Sequence, residues 1–140
     1  MRITSRPMVV LDRLSRPATA HAHCDLPCGV YDPAQARIEA ESVKACMTKF
    51  EGSDDEVFRA RAVAIKEERC ELVKHHLWVL WTDYFKPEHL GAFPELHDLF
   101  WRATKAAGAA KKTNEVAVAD GLLADIAAID TIFQETKAPK

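Results

Sequence analysis

The residues best suited to chemistry form a short segment, residues 23–31, in which one histidine and two cysteines precede a helix start. The segment reads His-Cys-Asp-Leu-Pro-Cys-Gly-Val-Tyr, and we call it the hook. If the chain is cut after Ala22, His23 becomes N-terminal and carries a free α-amine. That amine, the imidazole, the amide nitrogen of Cys24 and the thiolates of Cys24 and Cys28 can then converge on one metal ion.

This donor set discriminates between transition metals. Two thiolates and two nitrogens in a plane suit Ni(II) or Cu(II), whereas a tetrahedral arrangement of such donors suits zinc. A terminal amine and the next amide nitrogen close a five-membered chelate ring, which favours a flat site, and anionic donors stabilise a higher oxidation state. The hook therefore predicts redox-active nickel held by His23, Cys24 and Cys28, with the imidazole as an axial ligand.

The segment before the hook, residues 1–22, differs in charge from the rest of the chain, and we call it the arm. Four arginines and one aspartate give the arm a charge of +3, which leaves −5 on the remaining residues. The arm ends in Ala20-His21-Ala22, which resembles a small-residue cleavage site, but it has only four apolar residues together and a secretory signal needs ~7–15. We therefore expect a cytoplasmic pro-segment, the alternative being an arm that is never removed.

Length, net charge and apolar content limit the classes of partner that the protein is expected to bind. The chain has 140 residues and a net charge of −2, so we expect one bundle domain after the hook, residues 32–140, and no nucleic-acid binding. The apolar runs are too short to span a bilayer, so we expect no membrane association. Closely spaced thiols in a cytosolic protein more often bind metal or do redox work than form structural disulfides.

Four helices are predicted after the hook, which makes the fold all-α: an up-down antiparallel four-helix bundle. An aspartate cap followed by proline starts the first helix, and a serine cap starts the second. Apolar residues recur at spacings of three and four along the helices. The stripe of the second helix is predicted as Phe58, Ala62, Ile65, Leu72 and Val79, and that of the last as Ala119, Leu122, Ile126, Ile129 and Phe133. The expected helices are Asp32 to Phe50, Ser53 to Phe85, Pro94 to Ala110 and Glu115 to Thr136, with a loop from Lys86 to Phe93.

Two charged residues fall on the predicted apolar seams of the first two helices. Glu39 precedes Val43 on one seam, and Arg69 follows Ile65 on the other. Because a buried charge is costly unless it is paired, we expect Glu39 and Arg69 to meet. Three interpretations are open: a structural buried ion pair, an arginine that reaches the surface, or a support for the hook, since a carboxylate usually orients a metal-bound histidine.

The hook is similar to that of the nickel superoxide dismutase family. The resemblance continues through residues 32–39 and recurs at Lys74-His75-His76-Leu77 and Asp83-Tyr84-Phe85-Lys86-Pro87. It covers essentially all of residues 23–140, and the hook is its most specific part.

The resemblance implies a superoxide dismutase that converts superoxide to dioxygen and hydrogen peroxide by Ni(II)/Ni(III) cycling, with one nickel ion per subunit. It implies a precursor cut by a peptidase just before His23 and a homohexamer of four-helix bundles. It also implies that Tyr31 and Asp25 shape access of superoxide to the metal, with Tyr84 hydrogen-bonded nearby. The family's glutamate and arginine around the axial histidine fall on Glu39 and Arg69.

Three other functions remain open at the level of sequence. They are a thiol switch that joins Cys24 to Cys28, a helical interaction module without catalysis, and a carrier of zinc or copper. Cys46 and Cys70 lie inside predicted helices, where we expect buried apolar roles.

Structural roles are expected for the remaining histidines and the tryptophans. Packing or hydrogen bonding is expected for His75, His76, His89 and His97, and core or subunit-interface positions for Trp78, Trp81 and Trp101. Lys86 either attracts the anionic substrate or is an ordinary solvated lysine.

Overall fold

The structure, a computed structural model, describes residues 29–137, and within that range it contains helices and no strand. Four long helices are joined by short connections, and a fifth, short helix follows the second of them. In chain order they are α1 (Ala34–Glu51), α2 (Glu56–Val79), α3 (Pro87–Ala92), α4 (Leu96–Lys112) and α5 (Val116–Lys137). The prediction of an all-α bundle is confirmed.

Each long helix packs against the long helices that precede and follow it in the chain, and the last closes the bundle against the first. α1 packs against α2 and α5, and α4 packs against α2 and α5. The short connections force consecutive long helices to run antiparallel, which gives the expected up-down arrangement. None of the helices in the described range is long and apolar enough to cross a membrane.

The helix starts follow local capping chemistry. Asp32 Oδ1 accepts a hydrogen bond from the Ala34 amide at 2.8 Å, so the predicted aspartate cap of α1 is present. At α2 the cap is Asp55 and not the predicted Ser53: Asp55 Oδ1 accepts from the amides of Val57 and Phe58. Ser53 instead accepts from the Asp55 amide and orders the turn before the cap.

The second helix ends differently from the prediction. α-Helical hydrogen bonding stops at Val79, and residues Leu80–Tyr84 form a π-helical turn. The predicted loop from Lys86 to Phe93 is also wrong, because most of it forms α3. Pro87 occupies the first turn of α3, where its missing N–H costs nothing, so a proline that ends one helix also begins the next.

The core lies along the inner faces of the four long helices. On α5 the predicted stripe is confirmed, with Ala119, Leu122, Ile126, Ile129 and Phe133 all buried. On α2 the predicted stripe is shifted from the real one: Phe58 and Ile65 are 42% and 41% exposed. The buried positions of α2 are Ala62, Lys66, Cys70, Val73 and Leu77.

The shift on α2 has a physical cause. Lys66 is 2% exposed, and its ammonium donates to the Thr113 carbonyl and to Asn114 Oδ1, the latter at 2.8 Å. Thr113 and Asn114 follow the last residue of α4, so the cation lies where the negative end of that helix dipole is. A lysine with two acceptors can occupy a core position that the apolar pattern gives to Ile65.

Candidate functional site

The predicted metal ligands His23, Cys24 and Cys28, and the access residue Asp25, lie outside the described residues. The described chain begins at Gly29, whose φ of +69° lies in the left-handed region that favours glycine. A glycine in this conformation turns the chain within the hook, five residues before α1. Residues 29–137 contain no group of three or more His, Cys, Asp or Glu side chains placed to hold one metal ion.

Glu39 and Arg69 do meet, as predicted. Arg69 Nη1 donates to Glu39 Oε2 at 3.2 Å between α1 and α2, and the Glu39 side chain is 16% exposed. This hydrogen bond raises the pKa of the Arg69 guanidinium, with the Glu39 charge as the second cause. The prediction that the pair points into the core is wrong, because Ala36 and Ala40 take those positions on α1. The pair lies at the edge of the α1–α2 contact, where a carboxylate can reach a segment outside the bundle.

His76 faces the same carboxylate from two helical turns beyond Arg69. Burial, and secondarily the neighbouring His75, lowers the pKa of His76, while the charge of Glu39 raises it. The rings of His75 and His76 lie 5.5 Å apart in an edge-on contact. Burial thus disfavours the charged form of His76, and the full charge that pairs with the Glu39 carboxylate is the guanidinium of Arg69.

Tyr31 and Tyr84 come together at the end of the bundle where α1 begins. Their ring centroids are 5.6 Å apart, although 53 residues separate them in the chain. Tyr84 also contacts Phe133 at 4.5 Å, Phe85 at 5.1 Å and His89 at 5.8 Å between ring centroids. Contacts on several sides fix the ring plane of Tyr84.

The π-helical turn is the feature that brings Tyr84 to this position. A residue inserted into helical register rotates every later side chain around the axis, and such turns occur frequently at functional sites. The Phe85 amide closes the turn by donating to the Leu80 carbonyl at 3.1 Å. The spacing of apolar residues does not reveal this change of helical register. The sequence therefore predicted Tyr84 at the site but not the π-helical turn that places it there.

The last turn of α5 supplies two contacts that the sequence did not predict. Tyr84 Oη lies 2.6 Å from Thr136 Oγ1. Lys137 Nζ donates to the Tyr31 carbonyl at 3.4 Å and lies 4.3 Å from the Phe133 ring centroid. The only sequence signal for these residues was their place at the end of the helix that approaches Tyr31.

The remaining histidines and the tryptophans divide by burial. His89 Nδ1 accepts from the Lys86 amide at 3.2 Å, and His97 lies edge-on to Trp81 with ring centroids 4.7 Å apart. Trp81 packs against the core, whereas Trp78 and Trp101 are 49% and 63% exposed. Core positions are therefore wrong for the last two.

The two cysteines of the bundle are free thiols. Cys70 is fully buried, and burial raises its pKa to about 11. Cys46 is half-buried between α1 and α2, where burial also raises its pKa. The expectation of an apolar role is confirmed for Cys70 and holds in part for Cys46.

Comparison with known proteins extends these observations to the hook. The family model for nickel-containing superoxide dismutase matches residues 18–137. Superoxide dismutase [Ni] of Streptomyces coelicolor is 58% identical over 129 residues, covering 91% of this chain and 98% of its own length. The enzyme of Streptomyces seoulensis, of the same name, has the same identity and coverage.

Solved structures agree with the sequence relatives. A native nickel superoxide dismutase structure superposes with a TM-score of 0.80 and 60% identity, covering 82% of this chain and 98% of its own. A second structure, with nickel ligation corresponding to the oxidised state, has a TM-score of 0.80 and 61% identity over the same shares. The chain therefore belongs to the nickel-containing superoxide dismutase family, with superoxide dismutation as its activity and nickel as its cofactor.

Proposed function

We propose that the chain matures by cleavage before His23 and that the hook then binds one nickel ion through His23, Cys24 and Cys28. The arm, residues 1–22, is the segment removed, and residues 32–140 form the bundle. Two findings support this division. The curated relative aligns with 91% of this chain and the solved chain with only 82%, although each of the two is itself covered to 98%. The second finding is that Gly29 turns the chain directly after Cys28.

The donor set of the hook fits nickel on chemical grounds. Thiolates are soft ligands, imidazole suits nickel, and planar nitrogen-rich coordination is typical of Ni(II). An α-amine has an ordinary pKa of about 7.7–8.0, so it loses its proton readily when a metal competes for it. When bound, nickel supplies the one-electron couple by which one superoxide is oxidised to dioxygen and another is reduced to peroxide.

Glu39 is the residue of the bundle that we expect to contact the hook. Its carboxylate lies at the edge of the α1–α2 contact, about 8 Å along the helix axis from the start of α1, the helix that the hook enters. We assign it the role of accepting the remaining N–H of the His23 imidazole, which fixes the ring orientation. Arg69 holds that carboxylate in place through its hydrogen bond.

The two tyrosines meet where the hook joins the bundle, because Tyr31 lies three residues before α1. Tyr31, together with Asp25, restricts the path to the metal and positions superoxide and water there. Tyr84 supports the Tyr31 ring at 5.6 Å. Lys86, exposed two residues after Tyr84, draws the anion toward this end of a chain that is acidic overall.

The assembly and the setting complete the proposal. We propose a homohexamer in which the hook packs against neighbouring subunits, and a peptidase that exposes His23 in the cytoplasm. The exposed Trp78 and Trp101 on adjacent helices α2 and α4 supply aromatic surface of the kind that subunit interfaces use.

The deciding experiment compares two chains that differ by one residue. One begins at His23, and the other carries a single alanine ahead of His23. Both are loaded anaerobically with Ni(II), and nickel content and superoxide disproportionation are measured. We expect stoichiometric nickel and activity only in the first, because the extra residue turns the amine into an amide.

Two controls keep that comparison decisive. Helical content by circular dichroism establishes that both chains are folded, and a His23-initiated chain with Cys24→Ser removes one thiolate without touching the amine. Equal activity in the two chains would overturn the role of the amine. Nickel retention without activity in either chain would overturn the hook as the catalytic site.

A further inference from the structure

The hydroxyl of Thr136, near the end of α5, takes part in two short hydrogen bonds. Thr136 Oγ1 lies 2.6 Å from the Phe133 carbonyl oxygen and 2.6 Å from Tyr84 Oη. A carbonyl oxygen can only accept, so the single proton of the Thr136 hydroxyl is used on Phe133. The bond to Tyr84 therefore has the phenol as its donor.

We propose that Thr136 is a positioning residue of the dismutase site, which commits the Tyr84 proton to α5 and leaves Tyr84 only acceptor lone pairs toward Tyr31. The proposal rests on the proposed function in one respect, namely that the Tyr31–Tyr84 pair borders the path to the metal. The direction of the hydrogen bonds is independent of that premise.

Both ends of the hydrogen-bond chain are held rigidly. The Tyr84 ring is fixed by Phe133 and the other aromatic neighbours, with the Phe133 centroid 4.5 Å away. The acceptor at the other end is a backbone carbonyl in α5, which cannot rotate. In a chain that runs from phenol to hydroxyl to carbonyl, each donor polarises the next, and so each bond strengthens the other.

The same turn of α5 also restrains the partner tyrosine. Lys137 Nζ donates to the Tyr31 carbonyl at 3.4 Å. Adjacent residues of one helix end thus hold the two tyrosines: Thr136 contacts the side chain of Tyr84, and the Lys137 ammonium contacts the backbone of Tyr31. We infer that the end of α5 sets the relative placement of the two rings.

The consequence concerns the protons that the reaction consumes. Formation of hydrogen peroxide from the reduced superoxide takes up two protons. A phenol whose proton is engaged with Thr136 does not deliver one, but its lone pairs can accept a hydrogen bond from water and orient that water. Tyr84 is therefore assigned the role of a water acceptor, and the protons come from other groups.

The first test reads the hydrogen-bond direction without nickel. The chain has two tyrosines, so Tyr31→Phe leaves Tyr84 as the only one, and the tyrosine Fermi doublet in the Raman spectrum then reports whether Tyr84 donates or accepts. We expect the pattern of a strong donor, its loss in Thr136→Val, and its return in Thr136→Ser. The pattern of an acceptor in the parent chain would overturn the proposal.

The second test measures catalysis in the nickel-loaded chain with both tyrosines present. We expect Thr136→Val to lower kcat/KM about five-fold, the rate equivalent of one ordinary hydrogen bond, and Thr136→Ser to restore it. In a Tyr84→Phe background Thr136→Val should cause no further loss, because the phenol through which it acts is gone. Equal losses in the two backgrounds would overturn the role through Tyr84.

Thr131→Val is the matched control on the same helix. The Thr131 hydroxyl donates to the Ala127 carbonyl at 3.1 Å and is exposed, so its removal should change neither the Raman doublet nor kcat/KM. If every variant lacks activity, the proposed hook has failed, and the Raman result still decides the hydrogen-bond direction.

Discussion

At each end of the bundle a side chain forms a hydrogen bond to the end of another helix, but the chemical groups differ. At one end the Lys66 ammonium donates to the Thr113 carbonyl just past α4. At the other end the Tyr84 phenol donates to Thr136 near the end of α5. In both cases a side chain from α2 or from the turn after it secures the end of another helix. The first contact is made by the charged Lys66 side chain, which is 2% exposed, whereas the second is made by two neutral hydroxyls that are partly buried.

The difference shows what each end is for. A buried cation with two acceptors is costly to disturb, so the Lys66 end fixes the bundle. The chain of neutral hydroxyls has no charge of its own, and it can hold the Tyr84 ring without competing with a metal ion for anionic donors. Stability is concentrated at one end and chemistry at the other.

The largest effect is expected for Lys66→Met, which removes the ammonium and leaves an apolar side chain of similar length. The Thr113 carbonyl and the Asn114 side chain then lose a charged donor inside the protein, and we expect the free energy of unfolding to fall by about 3 kcal/mol. Urea denaturation measures it. Lys112→Met, at an exposed position of α4, is the matched control, and equal effects in the two variants would show that Lys66 is not specially placed.

Glu39→Gln should separate activity from stability at the opposite end. If Glu39 orients the His23 imidazole, its loss should lower nickel affinity or activity by about 10- to 100-fold, as is usual for such supporting carboxylates. The melting temperature should change little, since the pair with Arg69 is partly exposed. Glu41→Gln removes the exposed partner of Arg37 on the same helix and should alter neither property. Full activity with full nickel content in Glu39→Gln would show that Glu39 does not orient the His23 imidazole.

Thiol reactivity should distinguish the hook from the bundle. A rise in pKa from 9.0 to about 11 leaves Cys70 with about 100-fold less thiolate at neutral pH. Iodoacetamide followed by peptide mass spectrometry should therefore label Cys24 and Cys28 in the nickel-free folded chain and leave Cys70 unmodified. Nickel loading should protect the hook thiols. Prompt labelling of Cys70 in folded protein would contradict its buried position.

The smallest expected effect is on acid stability. Burial lowers the pKa of His76 below its ordinary value of 6.5, so the unfolded chain binds a proton at a pH where the folded chain does not. Stability from this histidine is then intact above about pH 6.5 and falls as the pH decreases below it. His76→Gln should flatten that part of the stability–pH curve, and an unchanged slope below pH 6.5 would count against a lowered pKa at His76.

Sequence predicted the parts of the molecule that depend on local signals. The helix starts at Asp32 and near Ser53, and the stripe of α5, are set by caps and by spacing over a few residues. The Glu39–Arg69 pair was found because two charges interrupted apolar seams, even though the seam on α2 was placed wrongly.

The missed features depend on partners that are distant in the chain. Lys66 occupies a core position because acceptors 47 and 48 residues away meet it, and no periodicity reveals that. Thr136 and Tyr84 are 52 residues apart and become partners only when the last turns of two helices are adjacent. The helix α3 was missed because proline and glycine within it read as loop signals.

The π-helical turn at Leu80–Tyr84 makes the number of residues in this stretch as important as their identity. Each residue added to or removed from a helix rotates all later residues of that helix by about 100°. Deleting one residue here would restore ordinary helical winding, keep every side chain of the aromatic cluster in the chain, and turn the phenol away from α5. Insertions and deletions in this stretch should therefore be more harmful than any single substitution, and functional variants of this protein should keep its length constant.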